Sequence, residues 1–300
     1  MEGDELYFAP TNHQWTHSEY KKIVSYDEIN GIVTLDSPFS FYHYGEEVST
    51  AADFNGVDTR GEVRLLSRNV RVVGNDDGDK WGGNILTTDR MEFDGTIRMG
   101  TTQFDNVEVA KCSQENTWNA AIRFESTGET GASFIKNSVV HDSMAWSLLI
   151  DSSKNIVIEN SDFIGARAVG INLKSISNVK MDGLFIGDVA KREWTGGDNS
   201  LDKEACVAFC SYWEPNQCRD SSLTNSIAAG CAYAGFVAPG HDCDDYESDI
   251  FRYNVAHSSE RAGAHIYPNP ALSSSGSCYK GSHFSAYKNR DGGLTTMYNT

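Results

Sequence analysis

No stretch of this 300-residue chain approaches the ~18 consecutive apolar residues of a membrane-crossing helix. The chain opens Met1-Glu-Gly-Asp4, with no basic n-region and no apolar h-region, so no secretory leader is expected in this stretch. Basic residues are scarce: 25 Lys and Arg stand against 42 Asp and Glu, a formal charge of −17. Such a chain repels phosphate backbones, which argues against nucleic acid as a partner. The acidity serves solubility and tolerates divalent cations or basic partners. Long Leu/Ala/Glu/Lys stretches are also few, which argues against a helical protein. No Asn-x-Ser/Thr sequon occurs, so N-glycosylation gives no support for secretion and does not contradict it. There is no nucleophile elbow and no phosphate loop. Zinc spacing is missing too, because Cys206-x3-Cys210 has no matching second pair.

What is present is globular in character, with 39% apolar and 22% charged residues. At roughly 100–200 residues per domain, the length suits one large or two modest domains. There are 27 Gly, 13 Tyr and 14 Phe. Val, Ile, Thr and Phe recur in short runs broken by Asn, Asp, Gly and Ser, the texture of many short strands with tight turns.

Three lines align without gaps: Ile135-Lys-Asn137-Ser-Val-Val140, Ile158-Glu-Asn160-Ser-Asp-Phe163 and Met181-Asp-Gly183-Leu-Phe-Ile186. The offset is 23 residues each time, a solenoid period. Apolar and polar residues roughly alternate, so the unit is a strand. Asn or Gly at the shared corner suits a left-handed backbone. Later lines stretch the period to 28 between Ile227 and Val255 and to 30 between Ala256 and Ala286, as corner insertions would. The pattern predicts an all-β protein, a right-handed parallel β-helix of roughly nine coils of ~25 residues. A leucine-rich repeat would need a Leu-x-x-Leu-x-Leu ladder, which is absent. Residues 1–60 read as a small antiparallel β cap or the end of a β-sandwich, with Asn30-Gly31 as a two-residue hairpin turn. Residues 61–300 are assigned to the β-helix, with an excursion near 187–217.

Six of the seven cysteines come late: Cys206, Cys210, Cys218, Cys231, Cys243 and Cys278. Disulfides in an oxidising compartment fit them best, pinning the corner loops, with Cys112 left over. Six cysteines allow 15 connectivities, so the pairing stays open.

Gly45-Glu-Glu47 and Asn55-Gly-Val-Asp58-Thr-Arg60-Gly-Glu62-Val-Arg-Leu-Leu-Ser-Arg-Asn69 together resemble a block shared by fibrocystin-L proteins and cell-surface hyaluronidases. Gly3–Thr11 and Thr34–Pro38 look like the end of that family's eight-glycine β domain. Asn225–Gly230, Gly240–Cys243, Asn254–Ser258 and Gly263–Pro268 look like its small-residue β-helix lines. The resemblance covers essentially the whole chain and implies a segment of a longer ectodomain at the cell surface or outside the cell.

The family includes hyaluronan-degrading enzymes and members regarded as non-enzymatic, so the site must decide. An enzyme would need carboxylates and a cation in a groove. Asp58, Arg60 and Glu62 fit by type, and alternation along an extended segment would put them on one face. The plainer reading is an ion-paired latch between cap and solenoid. His241-Asp242 beside Asp244 and Asp245 is a metal or base candidate, set against an acidic loop anchored by Cys243. Asp76-Asp77-Gly-Asp79 could hold Ca²⁺ but reads first as a solvated turn. His257 and His265 read as satisfied wall residues. No cofactor is expected. The expected function is a structural or interaction segment of a large surface protein, with other surface or extracellular proteins and glycans as partners and no membrane contact. A polysaccharide-degrading enzyme of the hyaluronidase type is the alternative.

Overall fold

The computed structural model describes residues 1–46, 57–75, 78, 80–128, 132–190, 205–209, 220–239, 241–242, 251–267, 277–278 and 281–296. Every regular element among them is a β-strand. Three parallel sheets run the length of the molecule, and consecutive strands step from one sheet to the next. Sheet A has eight strands, from Val70–Val73 to Ser285–Tyr287, and sheet B has eight, from Ile85–Thr88 to Gly292–Thr296. Sheet C has seven, from Gln103–Asp105 to Gly281–Ser282. This is a parallel β-helix of eight coils among the described residues, one fewer than the mean period suggested, because the corner insertions are longer.

The interior is built from columns of stacked side chains. Ile135 lies beside Ile158, and Ile158 beside Met181, as the 23-residue offset predicts. The column continues through Leu223 to Phe251. Ile135, Ile158, Met181 and Leu223 are completely buried. At the corner after sheet C, Asn106, Asn137, Asn160, Gly183 and Asn225 all have positive φ, the left-handed turn that Asn and Gly make at least cost. The next residue feeds the corner's buried amides: Ser138 Oγ accepts from Val107 N–H, and Ser161 Oγ from Ser138 N–H.

The regular period breaks after the strand Phe185–Val189. Ile171 pairs with Val207 and Lys180 with Ser222, so 13 residues are added before sheet B and 6 more before sheet C. The excursion expected near 187–217 falls largely on residues outside those described. Within it, Val207–Phe209 is an ordinary strand of sheet B, and 191–204 and 210–219 lie outside the described residues.

Cys206 and Cys231 form a disulfide between coils five and six, while Cys112 is free and buried. Cys210, Cys218 and Cys243 lie outside the described residues, and Cys278 is placed only as part of the short strand Ser277–Cys278. A loop of 25 residues closed in the unfolded chain is worth roughly 3 kcal/mol. Cys206→Ala with Cys231→Ala is therefore expected to lower the thermal midpoint measurably in a calorimetric scan.

Before the solenoid, β1 (Glu5–Phe8), β2 (Glu19–Asp27), β3 (Ile32–Leu35) and β4 (Val63–Leu65) form an antiparallel sheet in the order β3-β2-β1-β4. The turn between β2 and β3 spans four residues and not two. Asp27 pairs with Ile32, and the Asp27 carboxylate accepts the amides of Ile29 and Asn30. β4 pairs with β1, so the chain enters the solenoid at Val70.

Candidate functional site: the flank beneath the N-terminal sheet

The middle strands of sheet A are buried on both faces. Val109, Val140, Phe163 and Ile186 point into the solenoid core, and Val139, Ile164, Phe185 and Ala229 point outward into a second cluster with Tyr7, Ala9 and Leu66. Double-sided burial explains why these strands read Val139-Val140 and Phe185-Ile186 instead of alternating. Tyr7 is fully buried, edge-on to Tyr20 at 5.4 Å and 5.7 Å from Phe185. The Arg64 guanidinium lies over Phe185 at 4.6 Å.

The contacts of the N-terminal segment run along the side of the solenoid. In coil two, the Arg68 backbone N–H donates to the Glu108 carboxylate at 2.9 Å. In coil four, Arg64 Nε faces Asp162 Oδ1 at 3.9 Å, beyond hydrogen-bond reach, and Nε has no hydrogen-bond partner. In coil five, the Tyr20 hydroxyl donates to Asp188 Oδ2 at 2.6 Å and the Ser18 hydroxyl to Oδ1 at 3.1 Å. In coil seven, His257 Nε2 meets Glu62 Oε2 at 2.9 Å and the Ser258 hydroxyl donates to the Pro10 carbonyl. In coil eight, the Lys288 ammonium donates to the Thr11 carbonyl at 2.7 Å.

Sequence reasoning put Asp58, Arg60 and Glu62 on one face, and the structure separates them. The Asp58 carboxylate accepts the Arg60 backbone N–H at 3.0 Å and pairs with its guanidinium. That local turn takes the backbone out of the extended geometry on which alternation depends. The pair stands in solvent, with side chains 58% and 50% exposed. Glu62 instead lies under the sheet against His257, which is 1% exposed and stacks on Tyr287 at 4.8 Å. Burial works against the Glu62 charge, but His257 and Arg64 outweigh it and hold the carboxyl below the ordinary glutamate range. Glu62 and His257 thus form the buried contact across the joint, and Asp58 and Arg60 pair with each other at the surface.

Two further carboxylates face the sheet with less support. Burial pushes Asp162 up to about 6, against the partial relief of Arg64 and Arg68. Burial also raises Asp188, against its bonds to Tyr20 and Ser18. His141 sits between Glu108 Oε1 at 3.4 Å and Asp142 Oδ2 at 3.1 Å. Burial disfavours its charge, but the two carboxylates prevail and raise its pKa. Glu108 is itself 2% exposed and paired with Arg71 at 2.7 Å. Sequence reasoning did not single out Glu108, His141, Asp162 or Asp188. The available signal was a charged residue in a column of apolar ones: His141 pairs with Ala110 on one side and Ile164 on the other.

The remaining candidates do not form sites among the described residues. Asp76, Asp77, Asp79, Asp244 and Asp245 lie outside them, and His241-Asp242 is placed only as a short strand paired with Ser277–Cys278. No cluster of three or more His, Cys, Asp or Glu suited to a metal occurs among the described residues. His265 Nδ1 meets Thr295 Oγ1 at 2.7 Å, and its Nε2 is buried without a partner. No described helix is long and apolar enough to cross a membrane.

A parallel β-helix with a small antiparallel sheet strapped along one flank is the class of structure these features define. No family profile matches the chain. Individual relatives do. Human fibrocystin-L is 22% identical over 270 residues, covering 86% of this chain. Mouse fibrocystin is 25% identical over 246 residues, covering 81%. A mouse cell migration-inducing and hyaluronan-binding protein is 22% identical over 312 aligned positions, covering 87% of this chain and 22% of its own length. The chain is fibrocystin-like, and it spans about 6% of the length of the fibrocystin-L relatives it matches. Among solved structures, a periplasmic alginate epimerase aligns with TM-score 0.42 at 9% identity, covering 77% of this chain and 68% of the epimerase.

Proposed function

We propose that the chain is a structural and interaction segment of a large extracellular or cell-surface protein. Its β-helix serves as a stiff spacer and as a surface for other surface proteins and glycans. Residues 1–60 act as the end of a β domain that caps the solenoid laterally, and 61–300 form the solenoid, wound right-handed as parallel crossovers overwhelmingly are. One observation carries this reading. Of the three residues that fit a glycosidic site by type, Asp58 and Arg60 are spent on each other in solvent, and Glu62 is committed to a buried contact that holds two sheets together. A retaining or inverting glycosidase needs two free carboxyl groups across one bond. The fibrocystin-like resemblance supports the surface location, and the relative named as hyaluronan-binding supports a glycan among the partners.

The test is to incubate the purified protein with hyaluronan and related glycans, with and without Ca²⁺, and follow glycan length and retention. Binding or inertness with unchanged chain length is the expected result. Depolymerisation that disappears in a folded Asp58→Asn variant would replace this reading with a hyaluronidase-like enzyme.

A further inference from the structure

The joint between the N-terminal sheet and sheet A combines an apolar patch with groups that titrate near neutrality. Tyr7 and Leu66 from the sheet meet Val139, Ile164, Phe185 and Ala229 from the solenoid. Beside this patch lie Asp162, Asp188 and His141. Asp162 and Asp188 are buried there, and each lacks the full set of partners that would fix its charge at every pH. Asp162 has Arg64 only at 3.9 Å. Asp188 has two hydroxyl donors and no cation in direct contact among the described residues.

We propose that the N-terminal sheet is a pH-responsive strap, held more tightly on sheet A in mildly acidic solution than at neutral pH. The argument rests on what ionisation does inside the joint. When Asp162 and Asp188 ionise with the sheet in place, charge is created in a poorly solvated layer. Lifting the sheet returns both carboxylates to water.

The facing groups fix the sign. Arg64 and Arg68 face Asp162 and relieve it only in part. Tyr7 and Tyr20 are neutral at these pH values, and their hydroxyls, raised chiefly by burial, add no positive charge near Asp188. Asp142 lies within the field of Asp188 and repels it. Glu108 and Asp142 flank His141 and favour its protonated form, which is lost as the pH rises. Raised values for Asp162 and Asp188 thus both give docking that is complete at low pH and lost as pH climbs through them, whereas His141 keeps Glu108 and Asp142, both on the solenoid, with or without the sheet. One group acts oppositely: at Glu62 burial is outweighed by His257 and Arg64, and its pKa lies below the ordinary 4.5, so its effect is confined to more acidic solution. Asp142 is lowered by His141, Lys111 and Arg167, which stay beside it with or without the sheet. The strap is tighter near pH ~5 than at neutral pH, and loosening at neutral pH exposes Val139, Ile164, Phe185 and Ala229 as an apolar face.

The Arg68 amide reports docking directly, because its acceptor is Glu108 across the joint. Its hydrogen-exchange protection factor, corrected for intrinsic rate, should fall about tenfold from pH ~5.0 to ~7.5 for Asp162 alone, with Asp188 adding in the same direction. The Ile158 amide in sheet C should keep its protection at both pH values. Asp162→Asn keeps the shape and removes the charge, so it should retain at pH ~7.5 most of the protection the wild type has at pH ~5.0. A change below about threefold in the wild type overturns the proposal, and this arm needs no variant to fold. Undiminished pH dependence in a folded Asp162→Asn/Asp188→Asn double variant overturns it as well. Neither arm involves a glycan or a partner, so the outcome is independent of the function proposed above.

Discussion

Ile158→Asp is expected to destabilise the solenoid by roughly 4–5 kcal/mol. Ile158 is completely buried and stacked between Ile135 and Met181 in neighbouring coils. An aspartate there loses the dispersion and transfer energy of the isoleucine. It also puts a carboxylate where no described side chain can donate to it. Ile158→Val removes one methylene from the same column and should cost only about 1 kcal/mol. Urea titration followed by circular dichroism separates the two. Equal midpoints for Ile158→Asp and the wild type would remove position 158 from the interior.

The second large effect belongs to the latch. Glu62→Ala should cost about 3 kcal/mol of docking free energy, since it leaves His257 buried without the partner of its Nε2. Asp58→Asn should stay within about 0.5 kcal/mol, because its pair with Arg60 stands in solvent. The latch also has an acid limit. Glu62 has a lowered pKa in the fold, so its contribution is fully present above the ordinary value of 4.5 and is lost as pH falls through the lower one. Glu62→Gln should lack that acid dependence. Thermal melts of the three variants at pH ~7 and ~3.5 would show it. If Asp58→Asn proved as damaging as Glu62→Ala, the latch would have been assigned to the wrong carboxylate.

The parts of this fold legible in the sequence are those where the corners carry no insertion. Between Ser133 and Val189 each coil has the same length, so an offset of 23 residues shows which side chains stack. Beyond Val189 the inserted residues add length without adding a rung, and counting by mean period overestimates the coils. The latch was legible only in part. Glu62 carries a sequence signal, but its partner His257 is 195 residues away, with no periodicity connecting the two. Asp58 and Arg60 misled for a local reason: an aspartate two residues before an arginine accepts the following amide and bends the chain. The buried carboxylates under the sheet were hidden by the same cause. A strand covered on both faces loses the alternation that separates inside from outside, so the pattern gave no sign that Asp162 and Glu108 are buried.

The strap has a consequence for how the chain folds. A bare solenoid is nearly one-dimensional: each coil touches only its neighbours, so unfolding can start at an end and peel inward one coil at a time. Here Lys288 is tied to Thr11 across 277 residues, and Ser258 to Pro10 across 248. The last coils therefore cannot fray without releasing the first strands. The molecule should melt in one cooperative step instead of a progressive unzipping. Such contacts of very long sequence separation form late and raise the contact order, so refolding should be slower than for a free-ended stack of the same eight coils.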